Sequence, residues 1–126
     1  MKFKFILTGM LFASLAFGAA WEQSASVQNV KAVLSSDKAL IVGDNALVLT
    51  VKQQNMPIEN AVVEVKAFMP AMPGMPAMES KSKAVAQGHG VYKTSLNLDM
   101  GGTWQIHVFV TTKEGKKYRL KTSLSL

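Results

Sequence analysis

Over most of its length the chain alternates apolar and polar residues with a period of two, the mark of strands that bury one face. Trp104, Ile106, Val108 and Val110 alternate with Gln105, His107, Phe109 and Thr111, and Phe109 is the single apolar intruder on the outward side. Tyr118, Leu120, Thr122, Leu124 and Leu126 alternate in the same way with Lys117, Arg119, Lys121, Ser123 and Ser125. The polar run Lys113-Glu114-Gly115-Lys116 between these segments predicts a hairpin. Val63, Val65 and Ala67 oppose Glu64 and Lys66; Leu47, Leu49 and Val51 form one face of 46–52; Tyr92, Thr94, Leu96 and Leu98 supply a further inward row. Turn signals fall at Gly43-Asp44-Asn45, 53–57, Gly88-His89-Gly90 and Gly101-Gly102. With further strands near 27–34 and 81–86 the pattern predicts about seven short strands in about 100 residues, hence an all-β, immunoglobulin-like antiparallel sandwich.

The first twenty residues follow a different rule. Lys2 and Lys4 precede a nearly unbroken apolar run, 5–17, and Gly18 and Ala20 provide small residues at the positions a signal peptidase needs. An uncleaved anchor is the competing reading, but 5–20 falls short of the roughly 20 apolar residues that span a bilayer. The expected organisation is a signal peptide at 1–20 and one domain at 21–126, exported to the periplasm. Trp21 would stand at the new N-terminus, where chain ends are usually mobile.

Ten residues fit no sandwich strand: Met69-Pro70-Ala71-Met72-Pro73-Gly74-Met75-Pro76-Ala77-Met78. Prolines at a spacing of three repeatedly remove backbone donors, which excludes a helix or an interior strand and favours polyproline II geometry. That helix has three residues per turn, so it would set Met69, Met72, Met75 and Met78 along one edge. Flexible Met side chains let neighbouring sulfurs converge, above all if the chain bends at Pro73-Gly74. Thioethers are soft ligands that select Cu(I), with Ag(I) as a chemical mimic. Two other uses suit the same string. Its methionines could plug the open end of the sandwich, or the Pro-rich strip could dock in a partner's aromatic groove.

Composition narrows the chemistry further. The chain has 126 residues and no cysteine, so it has no disulfide, thiolate ligand or Cys nucleophile. The eight methionines are left as its soft donors. Met100, in Asp99-Met100-Gly101-Gly102, is a weaker candidate ligand, as are His107 on its strand and His89 between two glycines. No nucleophile motif, phosphate-binding Gly loop or close carboxylate pair points to an enzyme. Net charge is +6, and +4 without Lys2 and Lys4. Five cations crowd the last hairpin, Lys113, Lys116, Lys117, Arg119 and Lys121. They suit either an acidic partner or anionic lipid surface, or an edge strand protected from aggregation. Aromatics are not interleaved with them as nucleic-acid stacking would require.

Taken together, Gly43-Asp44-Asn45, the 62–68 strand running into the Met-Pro string, Gly90-Val91-Tyr92 and Met100-Gly101-Gly102-Thr103-Trp104 resemble the YtkA/FixH-like family of small exported or membrane-tethered β domains. Within it the chain is similar to the CrdA-like copper-resistance proteins, down to Trp21-Glu22-Gln23 and the closing Tyr118-Arg119. The resemblance implies a periplasmic copper-tolerance protein acting beside a copper efflux system or another periplasmic protein. Met69, Met72, Met75 and Met78 match the family's Met-rich motif; neither His does. The alternative it leaves open is an interaction module whose Met-Pro loop docks an efflux or oxidase-assembly component without binding metal.

Overall fold

The computed structural model describes residues 20–126, so the signal segment expected at 1–20 lies, apart from Ala20, outside the described residues. Ten strands are present: β1 (Trp21–Val27), β2 (Val30–Ser36), β3 (Gly43–Gln53), β4 (Met56–Pro57), β5 (Val62–Met69), β6 (Met78–Lys83), β7 (Val85–Gly88), β8 (Val91–Leu98), β9 (Thr103–Thr111) and β10 (Lys117–Ser125). They build two antiparallel sheets. One runs β1-β2-β3-β8-β7 with β4 paired to β3; the other runs β10-β9-β5-β6. The core lies between them, as the alternation requires of a two-layer β domain. Leu34, Leu47, Leu49, Val51, Tyr92, Leu96 and Leu98 come from the first sheet, Val63, Val65, Trp104, Ile106, Val108, Val110 and Leu120 from the second, and all are essentially sealed from solvent. Burying each such aliphatic side chain contributes about 1.5–3 kcal/mol.

The predicted β9–β10 hairpin is present, with Tyr118 opposite Val110 and Leu124 opposite Trp104. The strand expected near 27–34 is instead the turn and second arm of the β1–β2 hairpin. Gln28, with φ 53°, turns the chain there without glycine or proline. Trp21 is therefore not a loose end: it pairs with Ser36 and packs half-buried on the core. Gly43-Asp44-Asn45 opens β3 rather than forming a turn. Asn45 is buried and folds the preceding loop around its amide, accepting from the Ile41 N–H at 2.8 Å and donating to the Ile41 carbonyl at 2.9 Å.

The strand expected near 81–86 is two strands in different sheets. β6 pairs with β5 and β7 with β8, and the chain crosses at Ala84, whose N–H still reaches the Val63 carbonyl at 2.8 Å. These extra segments raise the strand count from about seven to ten. Strand directions bring five features to one end of the molecule: Trp21, the 37–42 loop, the 70–77 loop, the 99–102 loop and Leu126, which exchanges backbone hydrogen bonds with Gly102.

Candidate functional site

The Met-Pro string is a hairpin rather than a polyproline helix. Met69, the last residue of β5, pairs with Met78, the first of β6; three residues further in, Met72 and Met75 pair again. The Met72 N–H donates to the Met75 carbonyl at 3.0 Å and the Met75 N–H to the Met72 carbonyl at 2.8 Å. Pro73 and Gly74 fill the turn between them. Pro supplies the fixed φ of the first corner, and Gly74, at φ +81°, supplies the positive φ that a type II turn demands at the second. The period-three spacing is symmetric about this turn. Folding the string there lays methionine against methionine in both pairs, and Pro70 and Pro76 fall between the pairs, where no ladder donor is needed.

The two pairs sit in different surroundings. Met69 is 3% exposed and belongs to the core, and its Cε would lie 3.0 Å from a Cβ placed on Gly102. Gly102, at φ +126°, is thus needed both for its backbone and for the space Met69 fills. Met78 is half-buried against the same cluster. At the tip Met72 is 47% exposed and Met75 half-exposed. In a hydrogen-bonded antiparallel pair the Cα atoms are about 5.5 Å apart and both side chains leave the same face. Two thioethers with three torsions each can therefore meet on one soft ion without backbone movement.

Met100 joins this end of the fold. It packs half-buried on the core, and its carbonyl accepts from the Trp104 indole N–H at 3.0 Å. Buried Trp104 thereby fixes the 99–102 loop beside Met69. Sequence patterning places Trp104 inward, but nothing local announces that its N–H holds this loop. Below the hairpin Lys66 binds Glu79 at 3.0 Å across the strands. The Lys66 hydrogen bond, the largest influence, holds the Glu79 carboxyl below its ordinary value against an opposing effect of burial, and the charges of Lys66 and Lys81 add to the lowering.

The histidines lie elsewhere. His89 is exposed in the β7–β8 turn at the opposite end, its N–H donating to Glu59 Oε1 at 2.9 Å. His107 is on the outer face of the second sheet, edge-on to Phe109 with ring centroids 6.1 Å apart. Burial, then the charges of Arg119, Lys121 and Lys66, hold its pKa below the ordinary value. The fold brings neither ring to the methionines. Among the described residues no group of three or more His, Cys, Asp or Glu side chains is placed to hold a metal ion, which leaves thioether sulfur as the donor type to consider. No described helix is long and apolar enough to cross a membrane.

A family model described as YtkA-like matches residues 24–109, from within β1 to within β9 and including the whole Met hairpin. No curated protein and no solved structure matches the chain.

Proposed function

This chain belongs to the YtkA-like family, and from that premise we propose that it is an exported, non-catalytic copper-handling protein whose β5–β6 hairpin binds Cu(I) through thioethers. The observation that carries the reading is the Met72–Met75 pair, two soft donors held side by side on a backbone-bonded tip, Met72 exposed and Met75 half-exposed. Met78 stands behind them as a third donor, and Met100 lies at the same end of the fold. Met69, which completes the motif in sequence, acts mainly as the core anchor that fixes the hairpin's base. Neutral thioethers bind Cu(I) with little pH dependence, since no proton must leave. A site this shallow suits reversible capture and transfer, in keeping with copper tolerance beside an efflux system in the periplasm. The strand order of the two sheets, less β1 and β4, supports taking the scaffold as an immunoglobulin-like sandwich.

Competition for Cu(I) against a colorimetric chelator tests this reading. The Met72→Leu, Met75→Leu double variant should lose the competition that the parent wins, and equal affinity in the two proteins would refute copper binding at the tip. A second reading has its own support. Ile41, Val42 and Leu126 expose apolar surface at the same end as Met72, as a partner-docking end would. It requires that the double variant keep its copper behaviour and lose capture of an efflux or oxidase-assembly component.

A further inference from the structure

The outer face of the β10-β9-β5-β6 sheet gathers charge in a way that folding does not require. Pairing places Lys121 opposite His107, His107 opposite Lys66, and Lys66 opposite Lys81, so one row across all four strands is basic at every position. The adjacent row runs Arg119, Phe109, Glu64, Lys83, and Lys117 follows on the same face of β10. Like charges directly opposite one another destabilise a sheet. Glu79 relieves part of this repulsion, 3.0 Å from Lys66 and 3.8 Å from Lys81. Six cations still face two carboxylates here, a net +4, while the rest of the described chain carries six of each sign. The whole excess positive charge therefore lies on one side of the molecule. Edge protection accounts for cations on β10 and β6, which are edge strands. It does not account for Lys66 and His107 on the two inner strands.

We propose that this face docks the protein on an anionic lipid bilayer. A four-strand row spans about 14 Å at the usual strand spacing, so its cations meet separate headgroups rather than one ligand. A hollow on this face, lined by Val65, Lys66, Lys81 and Phe109, also has Glu64 in its wall, and that carboxylate disfavours an acidic peptide seated there. The Lys66 ammonium is carried 5.7 Å above the Phe68 ring, an apolar body beneath a charged tip of the kind found at membrane surfaces. With the sheet flat on the bilayer, the Met hairpin, which continues β5 and β6, lies alongside the lipid surface. This inference does not depend on copper binding.

Vesicle flotation tests it, using residues 20–126, which contain both sheets and the whole described core. The protein should float with phosphatidylcholine vesicles containing phosphatidylglycerol, stay behind with phosphatidylcholine alone, and be released by high salt. Replacing exposed Lys81, Lys83 and Lys121 with Gln should lower partitioning on the order of a hundredfold, at roughly fivefold per cation. Replacing Lys31, Lys52 and Lys93, on the outer face of the other sheet, removes the same net charge and should change it far less. Equal losses in the two triple variants, or equal binding to neutral vesicles, would overturn the proposal. So would binding to polyglutamate but not to anionic vesicles, which would assign the face to an acidic protein. His107 gives an independent readout, because burial and then the charges of Arg119 and Lys121 on β10 and Lys66 on β5 disfavour its charged form. Headgroups that cancel those charges should raise its pKa in an NMR titration, and a pKa unmoved by bound anionic vesicles also counts against docking here.

Discussion

The base and the tip of the β5–β6 hairpin are made from the same residue, yet Met69 at the base belongs to the core and Met72 at the tip to solvent. Met69 is sealed between the sheets against Gly102, while Met72, three residues on, is half exposed. Side-chain chemistry is identical at the two positions, so the difference lies in what surrounds them. At the base, sulfur replaces water with packed carbon and contributes stability. At the tip it has no packing to lose and remains available as a ligand. A methionine-rich motif can thus divide its labour between holding a loop and using it.

The sharpest way to break this comparison is to cut back the buried member. Met69→Ala should cost about 2–5 kcal/mol, as truncations of buried Met do, and lower the midpoint in thermal unfolding by about 10 °C or more. The tip should respond in the opposite sense. Met72→Leu with Met75→Leu should leave stability within about 0.5 kcal/mol, as surface changes generally do. It should weaken Cu(I) binding at least about tenfold, or 1.4 kcal/mol, in chelator competition.

The turn between the pairs lies midway in effect. Gly74 has open space where a Cβ would go, so Gly74→Ala is opposed only by its φ of +81°. About 1–2 kcal/mol of backbone strain is expected, confined to the tip and visible as faster amide exchange at Met72 and Met75. Mild peroxide should oxidise Met72 before Met69, since reaction follows exposure; peptide mapping by mass spectrometry gives the order. The smallest effect concerns pH. The Glu79 pKa is lowered in the folded state, so its ion pair with Lys66 contributes fully above the ordinary carboxylate range. That contribution is lost as pH falls through the lowered value. Glu79→Gln should remove this acid-side slope from the unfolding curve, lowering the midpoint slightly near neutrality and leaving it unchanged at acid pH where Glu79 is already protonated.

Much of the scaffold was legible because burial on one face imposes alternation, and β3, β5, β8, β9 and β10 display it plainly. The β1–β2 hairpin was hidden because Gln28-Asn29 carries neither glycine nor proline and offers only one turn-forming residue, although Gln28 takes a positive φ. The division of β6 from β7 was hidden because a chain that changes sheets at Ala84 keeps its extended backbone and its pattern. Polyproline geometry was the natural expectation for the Met-Pro string considered alone. It gives way because β5 and β6 pair up to Met69 and Met78, and that pairing forces the string to reverse within the eight residues between.

Sequence alone determined the two-sheet β character, the concentration of thioethers in one ten-residue string, and the absence of any cysteine to compete with them. Local rules suffice there, because alternation and proline chemistry act within a few residues. Only the tertiary structure decided which methionines are buried and which are free. It also decided that basic residues from four strands form one row, and that Trp104 steadies the loop beside Met69. The burial of Met69 against Gly102 and the basic row depend on how strands distant in sequence are paired and packed, which no local segment encodes.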